Sequence, residues 1–254
     1  MTVLVVTGTD TGVGKTVVTS AIAALAVAAG RRVAVLKAAQ TGVEAAQAGD
    51  VDEVRRLVGP SVMCRELARF PDPLAPATAA RRAGTPPVTP LAIVAAAREL
   101  ASSHDLVLVE GSGGLLVRFD DAGGTIADAA ATLGAPVLVV ARAALGTLNH
   151  TLLTVEALHN RELCCVGIVI GAWPVEPDLA ARCNLADLPA VTGLPLLGVL
   201  QEDAGRLPRA EFLLAARCGL ESGSLQLQRC RFTAPGMAAV RDPPGRGWQS
   251  LESL

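Results

Sequence analysis

The chain has no tyrosine, and aromatic residues make up 2% of its 254 residues. A core must therefore be packed mainly from Ala, Val, Leu and Ile, and a surface that stacks nucleic-acid bases on aromatic rings is not expected. An excess of one charge is also lacking. Lys plus Arg number 22 against 24 Asp plus Glu, a formal net charge of −2, with no long basic run. The electrostatic footprint of a DNA, RNA or membrane-surface binder is missing. The longest apolar run, residues 21–29, falls far short of the roughly 18–20 residues that span a bilayer. No basic segment precedes the first apolar run, so no signal peptide is read and a cytoplasmic location is expected. The six cysteines (Cys64, Cys164, Cys165, Cys183, Cys218 and Cys230) form no C-x-x-C pair, and His104, His150 and His159 have no metal-ligand spacing. A zinc site and a small disulfide scaffold are both disfavoured, and reduced thiols are expected.

Hydrophobic residues reach 51%, enough for a sizeable core. They fall in short apolar runs separated by alanine-rich segments of helical character. Strands are read at residues 3–7, 33–36, 106–109, 136–141, 166–171 and 196–200. Helices are read at 17–29, 51–58, 90–102, 125–133, 151–160, 178–188 and 208–218. Thr89-Pro90 is a strong helix start, with Thr as N-cap and Pro at the first helical position. Residues 59–90 carry seven prolines and read as a long irregular stretch with one helix near 78–83. Alternation of strand and helix predicts an α/β fold: a doubly wound, mainly parallel sheet flanked by helices, a P-loop NTPase-like three-layer sandwich. One domain is expected over residues 1–225, with 226–254 an irregular tail.

The segment GTDTGVGKT at residues 8–16 follows the first strand and opens the first helix. Backbone N–H groups of such a glycine-rich turn curl around an anion at a helix N-terminus. Lys15 would reach the β/γ-phosphates and the Thr16 hydroxyl would ligate Mg²⁺. The match to G-x-x-x-x-G-K-[ST] is imperfect, because Thr9 stands at the first-glycine position and Gly8 lies one residue earlier. Ligands of open α/β sheets sit beyond the carboxyl ends of the strands. Lys37 ends the second strand there. Glu110, followed by Gly111, Ser112, Gly113 and Gly114, ends another and supplies a second Mg²⁺-organising carboxylate. One of the acids Asp50, Asp52 and Glu53 is expected to reach the same ion.

These segments together resemble dethiobiotin synthetases: TGTDTGVGKT at 7–16, Lys37 followed by Thr41-Gly42, VEGSGG at 109–114, and LGTLNH at 145–150. The resemblance covers roughly residues 1–200, and the extra residue in the glycine-rich loop is normal for that family. It implies closure of a cyclic urea from 7,8-diaminopelargonate, CO₂ and ATP, through an N-carbamate and a carbamic–phosphoric anhydride. It implies that Gly12, Val13, Gly14, Lys15, Thr16 and Val17 wrap the triphosphate, with Lys15, Lys37 and Thr11 as catalytic residues. Thr16, Asp50 and Glu110 would hold Mg²⁺, and Gly111, Ser112 and Gly113 would line the carbamate side. Thr41 would touch the diamine, while Leu148 and Asn149 would reach it across a homodimer interface. The nucleoside base would lie near Gly171, Ala172, Gln201, Glu202 and Asp203. Many relatives have Asn where Gly171 stands, so ATP is the default and another nucleoside triphosphate remains an alternative. Switch ATPases of the same fold carry a signature lysine where Asp10 stands here. Cobyrinic-acid-synthase-like ligases need a glutaminase domain for which this chain has no room.

Overall fold

The computed structural model describes residues 2–220; the expected tail at 226–254 lies outside them. A seven-stranded sheet forms the centre, in the order β4-β2-β6-β1-β7-β8-β9, with every neighbouring pair parallel. Its strands are β1 (Thr2–Gly8), β2 (Val33–Lys37), β4 (Met63–Glu66), β6 (Leu106–Gly114), β7 (Val137–Ala141), β8 (Cys165–Trp173) and β9 (Leu196–Gln201). A two-stranded parallel sheet, β3 (Gln40–Thr41) and β5 (Arg69–Phe70), stands beside it. The central strands are runs of Val, Leu and Ile because both of their faces are covered, as in parallel sheets generally.

The alternation along each strand feeds two cores. In β1, Leu4 and Val6 point to one side and Val5 to the other. The first side is closed by α1 (Lys15–Ala28), α2 (Asp50–Val58) and α8 (Arg209–Gly219), through residues such as Val18, Ile22, Leu57 and Phe212. The second is closed by α3 (Pro76–Ala83), α4 (Pro90–Ala101) and α5 (Ile126–Leu133), through Ala79, Ile93 and Ile126. A smaller cluster of Ala143, Ile170, Ala181 and Leu188 packs with Leu148 of α6 (Thr147–His159) and lies under α7 (Leu179–Thr192). A short 3-10 turn, η1 (Ala204–Arg206), separates β9 from α8. The three-layer α/β fold expected from the alternation is therefore the fold observed.

Several boundaries differ from the sequence reading. Residues 59–90 are not irregular throughout, since they hold β4, β5 and α3. Short polar strands such as Met63–Glu66 carry no apolar run; they form by pairing with an existing edge, here β2. Glu110 through Gly114 belong to β6 rather than to a turn, because Glu110 is in register with both Val6 and Lys37. Helix α6 begins at Thr147, so Leu148 and Asn149 sit in a helical first turn and not in a loop. Among the described cysteines, Cys64, Cys165, Cys183 and Cys218 are free thiols. Among the described residues no helix is long and apolar enough to cross a membrane.

Candidate active site

The carboxyl ends of β1, β2 and β6 surround one cavity of about 730 Å³. Its floor is the glycine-rich loop. Gly14 adopts a left-handed conformation, φ 92°, which a side chain would oppose. The turn also brings Gly14 against Gly171 near the carboxyl end of β8. A Cβ on Gly14 would lie 2.5 Å from the Gly171 carbonyl oxygen, and one on Gly171 would lie 2.1 Å from the Val13 carbonyl oxygen. Two glycines on separate elements thus let the loop settle onto the sheet, and α1 starts at Lys15, with Lys15, Thr16 and Val17 of its first turn lining the cavity.

Four charged side chains meet above this floor. The Lys37 ammonium lies 2.5 Å from an Asp50 carboxylate oxygen and 2.8 Å from Glu110 Oε1, and it donates to the Gly111 carbonyl at 3.2 Å. The Thr16 hydroxyl donates to the same Glu110 oxygen at 2.9 Å. Lys15 donates to the Asp10 carbonyl at 2.9 Å. Lys37 and Glu110 are 5% and 1% exposed. An unpaired charge at that depth would cost several kcal/mol, so each requires the other. Burial favours the neutral amine of Lys37, but Glu110 and Asp50 outweigh it and hold the group above the ordinary lysine range. Burial, reinforced by repulsion from Lys37, lowers Lys15 to about 8 despite Glu110, Asp50 and Asp10. Lys37 is therefore a fixed cation and not a base, while Lys15 gives up its proton more readily than an ordinary lysine, at about 8.

The neighbouring elements hold this arrangement. Gln40 accepts the Asp50 N–H at 2.9 Å, and the Asp52 carboxylate accepts the Gly49 N–H at 2.9 Å, which fixes the start of α2. Arg69 pairs with Glu66 at 2.8 Å and donates to the Glu44 carbonyl at 3.2 Å, pinning the segment before α2. Ser112 donates to the Ala39 carbonyl at 2.5 Å, joining the ends of β6 and β2. Arg142, just past β7, bonds Asp10 at 2.8 Å and the Thr11 carbonyl at 3.3 Å.

Of the residues singled out from sequence, Thr11, Gly12, Gly14, Lys15, Thr16, Val17, Lys37, Thr41, Asp50, Glu110, Ser112 and Gly113 line this one cavity. Val13 is buried in the core, and Gly111 contributes its carbonyl to Lys37. Gly171 supports the loop from beneath. Ala172 follows it in β8, while Gln201 ends β9 and Glu202 and Asp203 lead into η1. Leu148 and Asn149 lie in α6, away from the cavity of their own chain. Gln40 and the Pro73–Pro76 wall were missed. Gln40 lies between two chosen residues, Lys37 and Thr41, and that position was its available signal. The wall had none beyond its prolines.

A parallel sheet whose first strand runs through a glycine-rich loop into a helix, with a lysine and hydroxyl at that helix start, defines a P-loop NTPase. Solved structures agree on the fold. The septum site-determining protein MinD complexed with Mg-ADP from Pyrococcus horikoshii matches with a TM-score of 0.55 at 16% identity, covering 85% of this chain and 92% of that one. The McdA(D38A)–ATP complex from Cyanothece matches with a TM-score of 0.53 at 14% identity, covering 85% and 88%. The family described as an AAA domain matches residues 2–205. At much higher identity stand proteins named ATP-dependent dethiobiotin synthetase BioD. The one from Saccharopolyspora erythraea is 66% identical over 220 residues, 87% of this chain and 96% of its own. The one from Streptomyces avermitilis is 67% identical over 205 residues, 81% and 86% respectively. The chain belongs to the ATP-dependent dethiobiotin synthetase family.

Proposed function

We propose that this chain is the ligase that closes a cyclic urea: 7,8-diaminopelargonate, CO₂ and ATP give dethiobiotin, ADP and phosphate. Family membership supports the reaction, and one observation carries the residue roles. A buried lysine at a strand end is clasped by two carboxylates, beside the P-loop lysine and hydroxyl. One substrate amine adds to CO₂ to give a carbamate, releasing a proton. A carbamate oxygen attacks the γ-phosphorus and ADP leaves. The second amine then attacks the carbonyl carbon, closes the ring and expels phosphate.

Phosphoryl transfer needs positioning and charge neutralisation more than covalent help. The N–H groups of Gly12–Val17 cradle the phosphates, Lys15 and Lys37 face the γ-phosphoryl group, and Thr11 closes the loop side. Thr41 contacts the diamine, and Gly111, Ser112 and Gly113 border the carbamate. Lys15, Lys37, Asp50 and Glu110 balance one another in charge, so they leave the added charge of a triphosphate unneutralised. Mg²⁺ fits that deficit: Thr16, Asp50 and Glu110 supply the hydroxyl and carboxylate oxygens it prefers, and the ion would neutralise the transferring phosphate. The base lies toward Gly171, Ala172 and Gln201–Asp203, with ATP as the nucleotide.

The active form we infer is a cytoplasmic homodimer. A groove between α6 and the end of β6 is bordered by Leu116, His150 and Leu153. Leu116, Leu145 and Leu153 are 46%, 86% and 56% exposed, an apolar face suited to a second copy. Leu148 and Asn149 of the partner subunit would then meet the substrate that they do not reach in their own chain. Incubation with ¹³C-bicarbonate, Mg²⁺, ATP and the diamine tests the reaction. The label is expected in the urea carbonyl of the product; product without label, or no product, overturns the assignment.

A further inference from the structure

The helix that carries Asp50 also grips the loop after β9. Arg56, on the second turn of α2, donates from Nη1 to the Leu207 carbonyl at 3.1 Å and from Nη2 to the Gly205 carbonyl. Its orientation is set by Glu53, which accepts from Nε at 2.8 Å and from Nη2 at 2.5 Å. All three guanidinium nitrogens are therefore engaged, two of them by backbone of the 201–207 loop. Such a planar fork holds a geometry that a lysine would not. The loop is fixed at its other end as well. Glu202 donates its N–H to the Trp173 carbonyl at 2.8 Å, and its carboxylate accepts the Val175 N–H at 3.1 Å. Between the two anchors Asp203 takes a left-handed conformation, φ 62°, which Asp adopts more readily than most residues with a side chain.

The loop so held packs behind a residue that lines the nucleotide cavity. A Cβ on Gly205 would sit 3.0 Å from Val17 Cγ2, and Val17 lines the cavity at the first turn of α1. The phosphate chemistry has no use for Arg56, which lies about 9 Å along the helix from Asp50 at the usual rise per residue. An exposed Arg–Glu pair on one helix contributes little by itself. Arg55 pairs with Asp52 and donates to the Cys64 carbonyl of β4, and Arg206 pairs with Asp203; Arg56 instead donates two bonds to carbonyls of the loop after β9.

We infer that Arg56 is a positioning residue for nucleoside recognition: by gripping the carbonyls of Gly205 and Leu207 it presents Gln201, Glu202 and Asp203 to the base. This rests on the nucleotide reading given above and adds a residue to it. The same helix ties that base-side edge to Asp50 at the triphosphate.

Calorimetric titration of the whole chain with Mg²⁺ plus either ATP or inorganic tripolyphosphate tests this. Arg56→Ala should weaken ATP about tenfold or more, the worth of a lost charge-assisted bond, and leave tripolyphosphate within about twofold. Arg56→Lys should recover part of the ATP affinity. Equal losses for both ligands, or none for either, overturn the role, as does a wild-type chain that binds the two alike. Should Arg56→Ala fail to fold, Glu53→Ala decides: it removes both acceptors that orient the guanidinium, and a smaller loss confined to ATP is expected, with any other pattern contrary. Because the readout is binding, it stands apart from the ligase assignment. Absence of diamine-dependent turnover would sink that assignment and leave this comparison intact.

Discussion

Lys37 is a buried ammonium placed between two carboxylates. Its charge is permanent over the working range, since Glu110 and Asp50 more than offset burial. Removing it takes a fixed cation from the γ-phosphoryl position while the loop and Lys15 remain. Lys37→Ala is expected to lower turnover by about 10³-fold, in the range seen when a preorganised charge stabiliser is deleted. Nucleotide binding should stay measurable by titration; near-normal turnover would reject the role. Lys15 behaves differently. In the free protein its pKa is lowered to about 8, and a polyphosphate binds the protonated form better. Affinity for Mg²⁺ plus ATP should therefore be flat below that pH and fall above it, by up to about tenfold per pH unit for a single linked proton. Lys15→Met should be weak at every pH and lose that slope. A wild-type profile that is flat through pH 9 would contradict the linkage.

At the scale of elements, the site depends on how closely the glycine-rich loop seats on β8. Gly171 entered the sequence reading as a base-binding position, yet its contacts give it a packing role under the loop. Gly171→Ala should destabilise the fold by about 1–3 kcal/mol through overpacking, seen as a lower melting temperature, and should raise KM for the nucleotide. An unchanged melting temperature and KM would show that the loop has room to move. The residues at the ends of β1, β2 and β6 were legible because buried parallel strands are continuous apolar runs, and Lys37 and Glu110 interrupt them at the ligand side. The supports were not legible. The small β3–β5 sheet pairs residues 29 apart, while Gln40 and Arg69 act through bonds to Asp50 and to the Glu44 carbonyl, and no local period announces either. Helix α6 begins at Thr147 rather than after His150, because Gly146 in a left-handed conformation, φ 91°, starts it; a glycine there reads as a loop residue in sequence.

For the whole molecule, a scarcity of aromatics left the core to aliphatic residues, and the two layers of helices bury them without any Tyr. The exposed apolar face near α6 is where the proposed second copy would pack. Sedimentation equilibrium should give twice the chain mass, and Leu153→Asp should yield a monomer with little turnover, since each site would lose the residues contributed across the interface. A fully active monomer would exclude the shared site. The central claim is that this P-loop drives a ligation and not a switch. Phosphate release by the purified chain, with Mg²⁺, bicarbonate and ATP, should be near background until 7,8-diaminopelargonate is added and should then match dethiobiotin one for one. Release at the same rate with and without the diamine would contradict it.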